Sequence, residues 1–380
     1  MEFRLYQYFK NLNGLRFIAA FLVIIHHIEQ FKNLWNIPNF YYKSSIKSLG
    51  DVGVTVFFVL SGFLITYILL KEKHKTGTIN IISFYIKRIL RIWPLYFLLM
   101  ILGLFVFNKL PFANTEDLYV NFYEFFYIKL ILYIFILPNI VLQLFGAVPL
   151  ISQLWSIGIE EQFYLFWPHL IKRFKNTFLV ILFVWLASFL GTLFIWYISV
   201  PERNYIQNNT LINCLNFIKI YLYNFKIHSM AIGAMGAYIL FYSYESVLKI
   251  IYLKSSQIII YLAAIIVIFA GLATTTLNEQ IYSIIAILII LNLCSNSQSI
   301  FSLENKVFNF LGQISYGLYM FHPVSILLSK TILQMININT SDLIFNTLLY
   351  VFTIVITIFI SSISYYYFEI KFLKLKPKDN

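Results

Sequence analysis

The sequence predicts an all-α protein built into a lipid bilayer, a polytopic bundle of about ten transmembrane helices. Three features carry that prediction. Of the residues, 60% are hydrophobic and 12% charged, with a mean hydropathy of +0.78. A soluble chain carries about 25% charged residues. The apolar residues gather in runs of about 17–25, the length that crosses a hydrocarbon core. The basic residues fall mainly between those runs and at the ends of the chain, where membrane orientation rather than nucleic acid accounts for the net charge of +12. Helices follow because lipid offers an open backbone no hydrogen-bond partner. The 380 residues therefore read as one integral-membrane domain, 1–380, with a short basic tail from about residue 371 and no appended soluble domain. The first apolar stretch begins near Leu15, lacks a small-residue cleavage site and contains ionisable groups, so it reads as a span rather than a leader. Cys214 and Cys294 match no metal or redox spacing, so neither a metal nor a permanently bound cofactor is expected.

Taken in order, spans are expected at about 12–31, 52–70, 84–107, 157–173, 177–200, 217–243, 256–274, 281–296, 308–331 and 343–368. Arg4 and Lys10 precede the first, and Lys371, Lys374, Lys376 and Lys378 follow the last. Both termini thus read as cytoplasmic in a plasma membrane, which requires an even number of crossings. Lys71, Lys73, Lys75 and Lys87 mark one inner loop, and Lys172, Arg173 and Lys175 another. Between them the apolar segment at about 122–146 is one too many. It contains Pro138 and Asn139, so it reads as re-entrant or as lying at the outer face. Lys43 and Lys47 in the expected outer loop depart mildly from the rule.

Ionisable residues inside such spans are the functional candidates. In "RFIAAFLVIIHHIEQ", Arg16 and His27 are eleven residues apart, which on a helix puts them within about 20° of one direction and ~16 Å apart along the axis. Arg16 alone also reads as a snorkelling anchor, and His27 as a core histidine bonded to a carbonyl. In "FYIKRILRIWPLYF", Arg88 and Arg91 share one side of a helix near the cytoplasmic entrance. They read either as positive-inside anchors or as an anion site, since guanidinium forks suit phosphate. In "QLWSIGIEEQFYLFWP", Glu160 and Glu161 open a span with Trp155 and Ser156 just before them. Helix capping by Ser156 accounts for one acid but not two; a buried carboxylate beside a histidine suits proton transfer. In "GQISYGLYMFHPV", His322 falls near mid-span, before a proline expected to kink the helix. His169 and His228 read as structural.

Taken together, "GLRFIAAFLVIIHH", "GVTVFFVLSGFLIT", "RILRIWPLY", "LWSIGIEEQFYLFWP" and "ISYGLYMFH" resemble, in order, the motifs of the acyltransferase family 3 membrane proteins. "HSMAIGAMGAY" and Glu369 are looser matches. The resemblance runs from about residue 12 to 370. It implies a ten-helix O-acyltransferase that moves an acyl group, usually acetyl, from cytoplasmic acyl-CoA to a hydroxyl of a cell-surface or lipid-linked carbohydrate. It carries the arginine–histidine motif onto Arg16 and His27, the paired arginines onto Arg88 and Arg91, and the Trp-Ser stretch onto Trp155, Ser156 and Glu160. Gly158 stands where relatives often have serine or alanine. Some relatives add an extracytoplasmic hydrolase-like domain; with the sequence ending at Asn380 none is expected here, and a two-part relay would then need a separate protein.

On this reading His27 is the general base and Glu160 its orienting carboxylate. Arg16, Arg88 and Arg91 hold the CoA phosphates. Trp155, Ser156, Glu161 and His322 contact the acceptor. The partners are acyl-CoA, a glycan and the bilayer, with no nucleic acid. Cys214 and Cys294 are poorly placed as nucleophiles and Ser61, in "LSGFL", lacks an adjacent base in sequence, so direct transfer is expected over a covalent intermediate. A proton-coupled transporter or polysaccharide exporter uses similar buried groups; such carriers often show inverted repeats, and none is visible in the sequence.

Overall fold

The computed structural model describes residues 9–110, 122–199, 226–271, 276–336 and 343–377. Among them there are helices and no strands. In chain order these are α1 (Leu12–Leu34), α2 (Ser44–Thr76), α3 (Ile81–Ile101, prolonged by a π turn over Leu102–Val106), α4 (Phe126–Ile134), α5 (Pro138–Phe145), α6 (Leu154–Arg173), α7 (Thr177–Ser199), α8 (Ile227–Phe241), α9 (Glu245–Tyr252), α10 (Lys254–Ala270), α11 (Thr276–Ser295), α12 (Lys306–Gln313), α13 (Ser315–Met335) and α14 (Leu343–Ile363, prolonged through Leu373). Six of them are long and apolar enough to cross a membrane, or seven if α9 and α10, bent by 68°, form one span. The described residues are thus all-helical, and their apolar helices are those of an integral membrane protein.

The other expected spans fall on α6, α8 and α13. α6 carries Glu160, Glu161, Lys172 and Arg173 within its 20 residues. The expected span at 217–243 begins outside the described residues, and α8 covers its last 15. α13 runs unbroken through Pro323, and the interruption comes earlier, at Ile314, between α12 and α13. The segment expected not to cross is broken into α4 and α5, of 9 and 8 residues, each too short for a hydrocarbon core. It packs inward: the Tyr96 hydroxyl donates to the Tyr133 carbonyl at 2.8 Å.

Close backbone approach sets the packing, as expected where lipid removes the hydrophobic drive between helices. A Cβ on Gly62 would lie 1.9 Å from the Met230 carbonyl oxygen, and one on Gly233 would lie 2.1 Å from that of Val59, so α2 and α8 touch along their backbones. Gly158, the departure noted in the sequence, lies where a Cβ would meet Asn139 Oδ1 at 2.8 Å and Pro138 Cδ at 2.9 Å. The short α5 leaves no room there for a side chain.

α1 is central. At its foot the Asn11 side chain bonds to the Leu293 carbonyl at 2.7 Å and accepts from the Leu303 amide at 2.6 Å, which latches the loop after α11 beneath it. Near its far end Glu29 accepts from Lys32 and from the Tyr350 hydroxyl, both at 2.6 Å, and from the Phe40 amide. Both Glu29 and Lys32 are buried. α6 is held against α2 by Trp167 donating to Thr66 Oγ1 at 2.9 Å. Lys73 caps the open carbonyls of Ile171 and Phe174 at the end of α6.

Candidate active site

The ionisable groups gather at two levels along α1. At the lower level, Arg16 projects from the second turn of α1, held by Asn13 Oδ1 at 2.9 Å. It lies within electrostatic range of Arg88 and Arg91 from α3 and of Glu160 and Tyr164 from α6. Arg88 places its guanidinium 5.8 Å from the Phe84 ring, and its buried Nε has no hydrogen-bond partner among the described residues. Three guanidinium groups are therefore drawn together from two helices. Among the described residues, no ion pair joins any of them to a carboxylate.

The nearby carboxylates are engaged elsewhere. Glu160 accepts from Ser61 at 2.9 Å and from Tyr164 at 3.2 Å. Glu161 accepts from the Trp93 indole at 2.8 Å and leaves its second oxygen without a partner. Glu369, in the π turn that prolongs α14, accepts from Ser364 at 3.0 Å and faces Arg91. Beyond the end of that helix, Lys376 comes under the same arginines. Burial first, then Arg91, Arg88 and Lys87, push its pKa down to about 7. Cations packed this closely repel one another, and a multivalent anion with bidentate acceptors relieves that repulsion.

At the upper level, His27 and His322 meet with ring centroids 4.8 Å apart. His27 Nδ1 bonds the Val23 carbonyl at 2.9 Å, and His322 Nδ1 bonds the Tyr319 carbonyl at 2.7 Å. A carbonyl only accepts, so each Nδ1 carries the ring proton and each Nε2 presents a lone pair. That is the tautomer a general base needs. His26 stands edge-on to His27 at 5.1 Å and bonds the Ile46 carbonyl.

The structure brings Arg16, Arg88 and Arg91 together, and places His27 against His322. It does not bring Glu160 to His27: among the described residues no hydrogen bond or ion pair joins them. The expected orienting carboxylate instead serves Ser61 and Tyr164 at the arginine level. Ser61, which lacks a base in sequence, has one in space. Ser156 lies inside α6 rather than at its cap. It is buried, with its hydroxyl 2.7 Å from that of Tyr319, so it ties α6 to α13. Trp155 is half-buried, with Phe58 edge-on and the Lys226 ammonium 5.7 Å from its ring. Glu161 belongs with Trp93.

Sequence reading set Ser61 aside as a nucleophile, counted Lys376 only in the basic tail, and did not single out Tyr164 or Tyr319. Ser61 alone had a signal, its place in "LSGFL". His228, read as structural, lies 3.2 Å from Glu279, which also pairs with Lys226 at 2.8 Å. Among the described residues no cluster of three or more histidine, cysteine or acidic side chains is placed to hold a metal ion.

The family model described as an acyltransferase domain matches residues 9–366 of the chain. A Listeria monocytogenes protein named peptidoglycan O-acetyltransferase OatA is 25% identical over 354 residues, 86% of this chain and 51% of that protein. A Staphylococcus aureus (strain COL) protein with the provisional name of an O-acetyltransferase is 34% identical over 190 residues, 47% of this chain and 28% of its own length. A Bacillus subtilis protein, provisionally named a peptidoglycan O-acetyltransferase, is 30% identical over 172 residues, 43% of this chain and 24% of its own. The matches thus span between about a quarter and a half of these relatives. No solved structure matches the chain.

Proposed function

This chain belongs to the acyltransferase 3 family, and from that membership we propose that it moves an acetyl group from cytoplasmic acetyl-CoA to a hydroxyl of a cell-surface glycan. It does so as a ten-span protein of the plasma membrane with both termini in the cytoplasm. The names of the Listeria and Bacillus relatives make peptidoglycan the first acceptor to test. The observation that carries the reading is the convergence of Arg16, Arg88 and Arg91, free of carboxylate ion pairs among the described residues, on the same helix face that carries His27 farther along.

The thioester arrives activated, and the acceptor hydroxyl lacks nucleophilicity at neutral pH. His27 Nε2 takes the hydroxyl proton as the oxygen attacks the thioester carbon, a contribution of roughly 10²–10⁴-fold. The acyl carbon–sulfur bond then breaks, its electron pair leaves on sulfur, and the proton passes to the thiolate. Arg16, Arg88 and Arg91, with Lys376 beside them, hold the phosphates of the nucleotide end. The pantetheine arm covers the ~16 Å of α1 between Arg16 and His27, so the donor serves an acceptor across the membrane without crossing it. Trp155 offers the sugar a half-buried aromatic face. Glu160 fixes Ser61 and Tyr164 at the arginine level rather than orienting the base.

The test is incubation of the purified protein with radiolabelled acetyl-CoA and peptidoglycan fragments. Label passes to the glycan with the wild type and not with His27→Ala. Movement of a solute across vesicles without any acylation would replace the enzyme reading with a transporter.

A further inference from the structure

The contact between His27 and His322 carries a role that neither residue suggests alone, and it rests on the reading of His27 as general base. The rings belong to α1 and α13, with centroids 4.8 Å apart and planes inclined by 51°. Each ring has its Nδ1 proton committed to a carbonyl of its own helix. His322 is fully buried, and its Nε2 has no hydrogen-bond partner among the described residues. A buried acceptor left unsatisfied is destabilising, because its lost hydration is not repaid. Two neutral imidazoles that both present lone pairs cannot bond each other; one added proton lets them.

We propose that His322 is the positioning partner of His27, accepting through its own Nε2 a hydrogen bond from the imidazolium that His27 becomes. The acceptor O–H bond breaks as the new carbon–oxygen bond forms, and its proton is held between the two Nε2 atoms. When the acyl carbon–sulfur bond breaks, that proton passes to the thiolate. One proton enters the pair and one leaves it. This second imidazole takes the place that a triad carboxylate fills elsewhere, which accounts for a base whose expected partner, Glu160, lies at the other level. The other titratable groups facing the pair are His26 on α1, with Asp51 and Lys47 in range of it from α2, and Tyr319 on α13, whose hydroxyl donates to the Gln153 carbonyl at 3.0 Å. Among the described residues no carboxylate forms an ion pair with His27 or His322.

Imidazole-¹⁵N NMR of the purified protein in nanodiscs tests the pair whatever the chain's activity. In the wild type the Nε2 resonances of His27 and His322 move together in two linked steps with pH. In His322→Gln, which keeps a hydrogen-bond acceptor but cannot hold a proton, His27 titrates alone in a single step. A His27 curve unchanged by that substitution overturns the pair. With acetyl-CoA and peptidoglycan fragments, His322→Gln is expected to lower kcat roughly 10–100-fold and to leave KM for both substrates within about twofold. A raised acceptor KM at unchanged kcat would make His322 a sugar contact and overturn the proposal. If the wild type acylates nothing, the functional reading fails by itself, and the NMR titration still decides whether the two histidines share a proton.

Discussion

At the scale of single residues, the arginines show how a motif and a site differ. Arg88 and Arg91 three apart on a helix satisfy any membrane anchor. On the proposed function, what separates them from anchors is Arg16, delivered from another helix to the same place, and an Arg88 Nε buried without a partner among the described residues. Arg88→Ala and Arg91→Ala are each expected to raise KM for acetyl-CoA about 10–100-fold, the loss of a charge-assisted bond of about 1.5–3 kcal/mol. The effect shrinks as salt is raised. Isothermal titration with CoA checks it, and unchanged affinity returns both residues to anchoring. Lys376 adds a pH signature. Burial, then the neighbouring arginines, hold its pKa at about 7, below the usual lysine range. It therefore gives up its proton as pH rises through neutrality, while a bound polyanion favours the protonated form. KM for acetyl-CoA should climb between about pH 6.5 and 8.5, and Lys376→Gln should flatten the climb. An equally steep profile in that variant would exclude Lys376 from the site.

At the scale of elements, α1 owes its placement to contacts at both ends. The Glu29–Lys32 pair lies one turn beyond the histidines and is buried with Tyr350 and Phe40 around it. The stretch "RFIAAFLVIIHHIEQ" displays Glu29 openly and Lys32 follows one turn on, yet its other two partners are 11 and 321 residues away, beyond any local pattern. Removing one member of a buried pair costs about 3–5 kcal/mol, because the other charge stays behind. Glu29→Ala should lower the detergent unfolding midpoint sharply. Glu29→Gln combined with Lys32→Met should recover most of it, since the amide still accepts from Tyr350. Equal losses in the two variants would mean the pair is no more than packing. α6 tells the same story of depth: α5 lies across Gly158 with no room for a Cβ, and Glu160, two residues on, comes to the arginine level rather than to His27.

At the scale of the whole molecule, the vertical order of arginines and histidines has functional meaning only if the helices cross the bilayer in the sense that the basic loops imply. Reporter fusions at Lys43 and Lys75, which bracket α2, should report opposite faces, with Lys75 cytoplasmic. The same face for both would dismantle the route from donor to acceptor. The sequence by itself determined the solvent and the helices that suit it, because runs of apolar residues answer to lipid one segment at a time. It also placed Arg16 and His27 on one face, because eleven residues of helix leave no other choice. Only the tertiary structure decided which polar groups meet. The Glu160–Ser61 bond, the His27–His322 contact and the gathering of three guanidinium groups all join different helices. The relative depth of two helices is set by backbone approach at small residues such as Gly62, Gly158 and Gly233, where about an ångström of clearance selects the register and no periodicity records it.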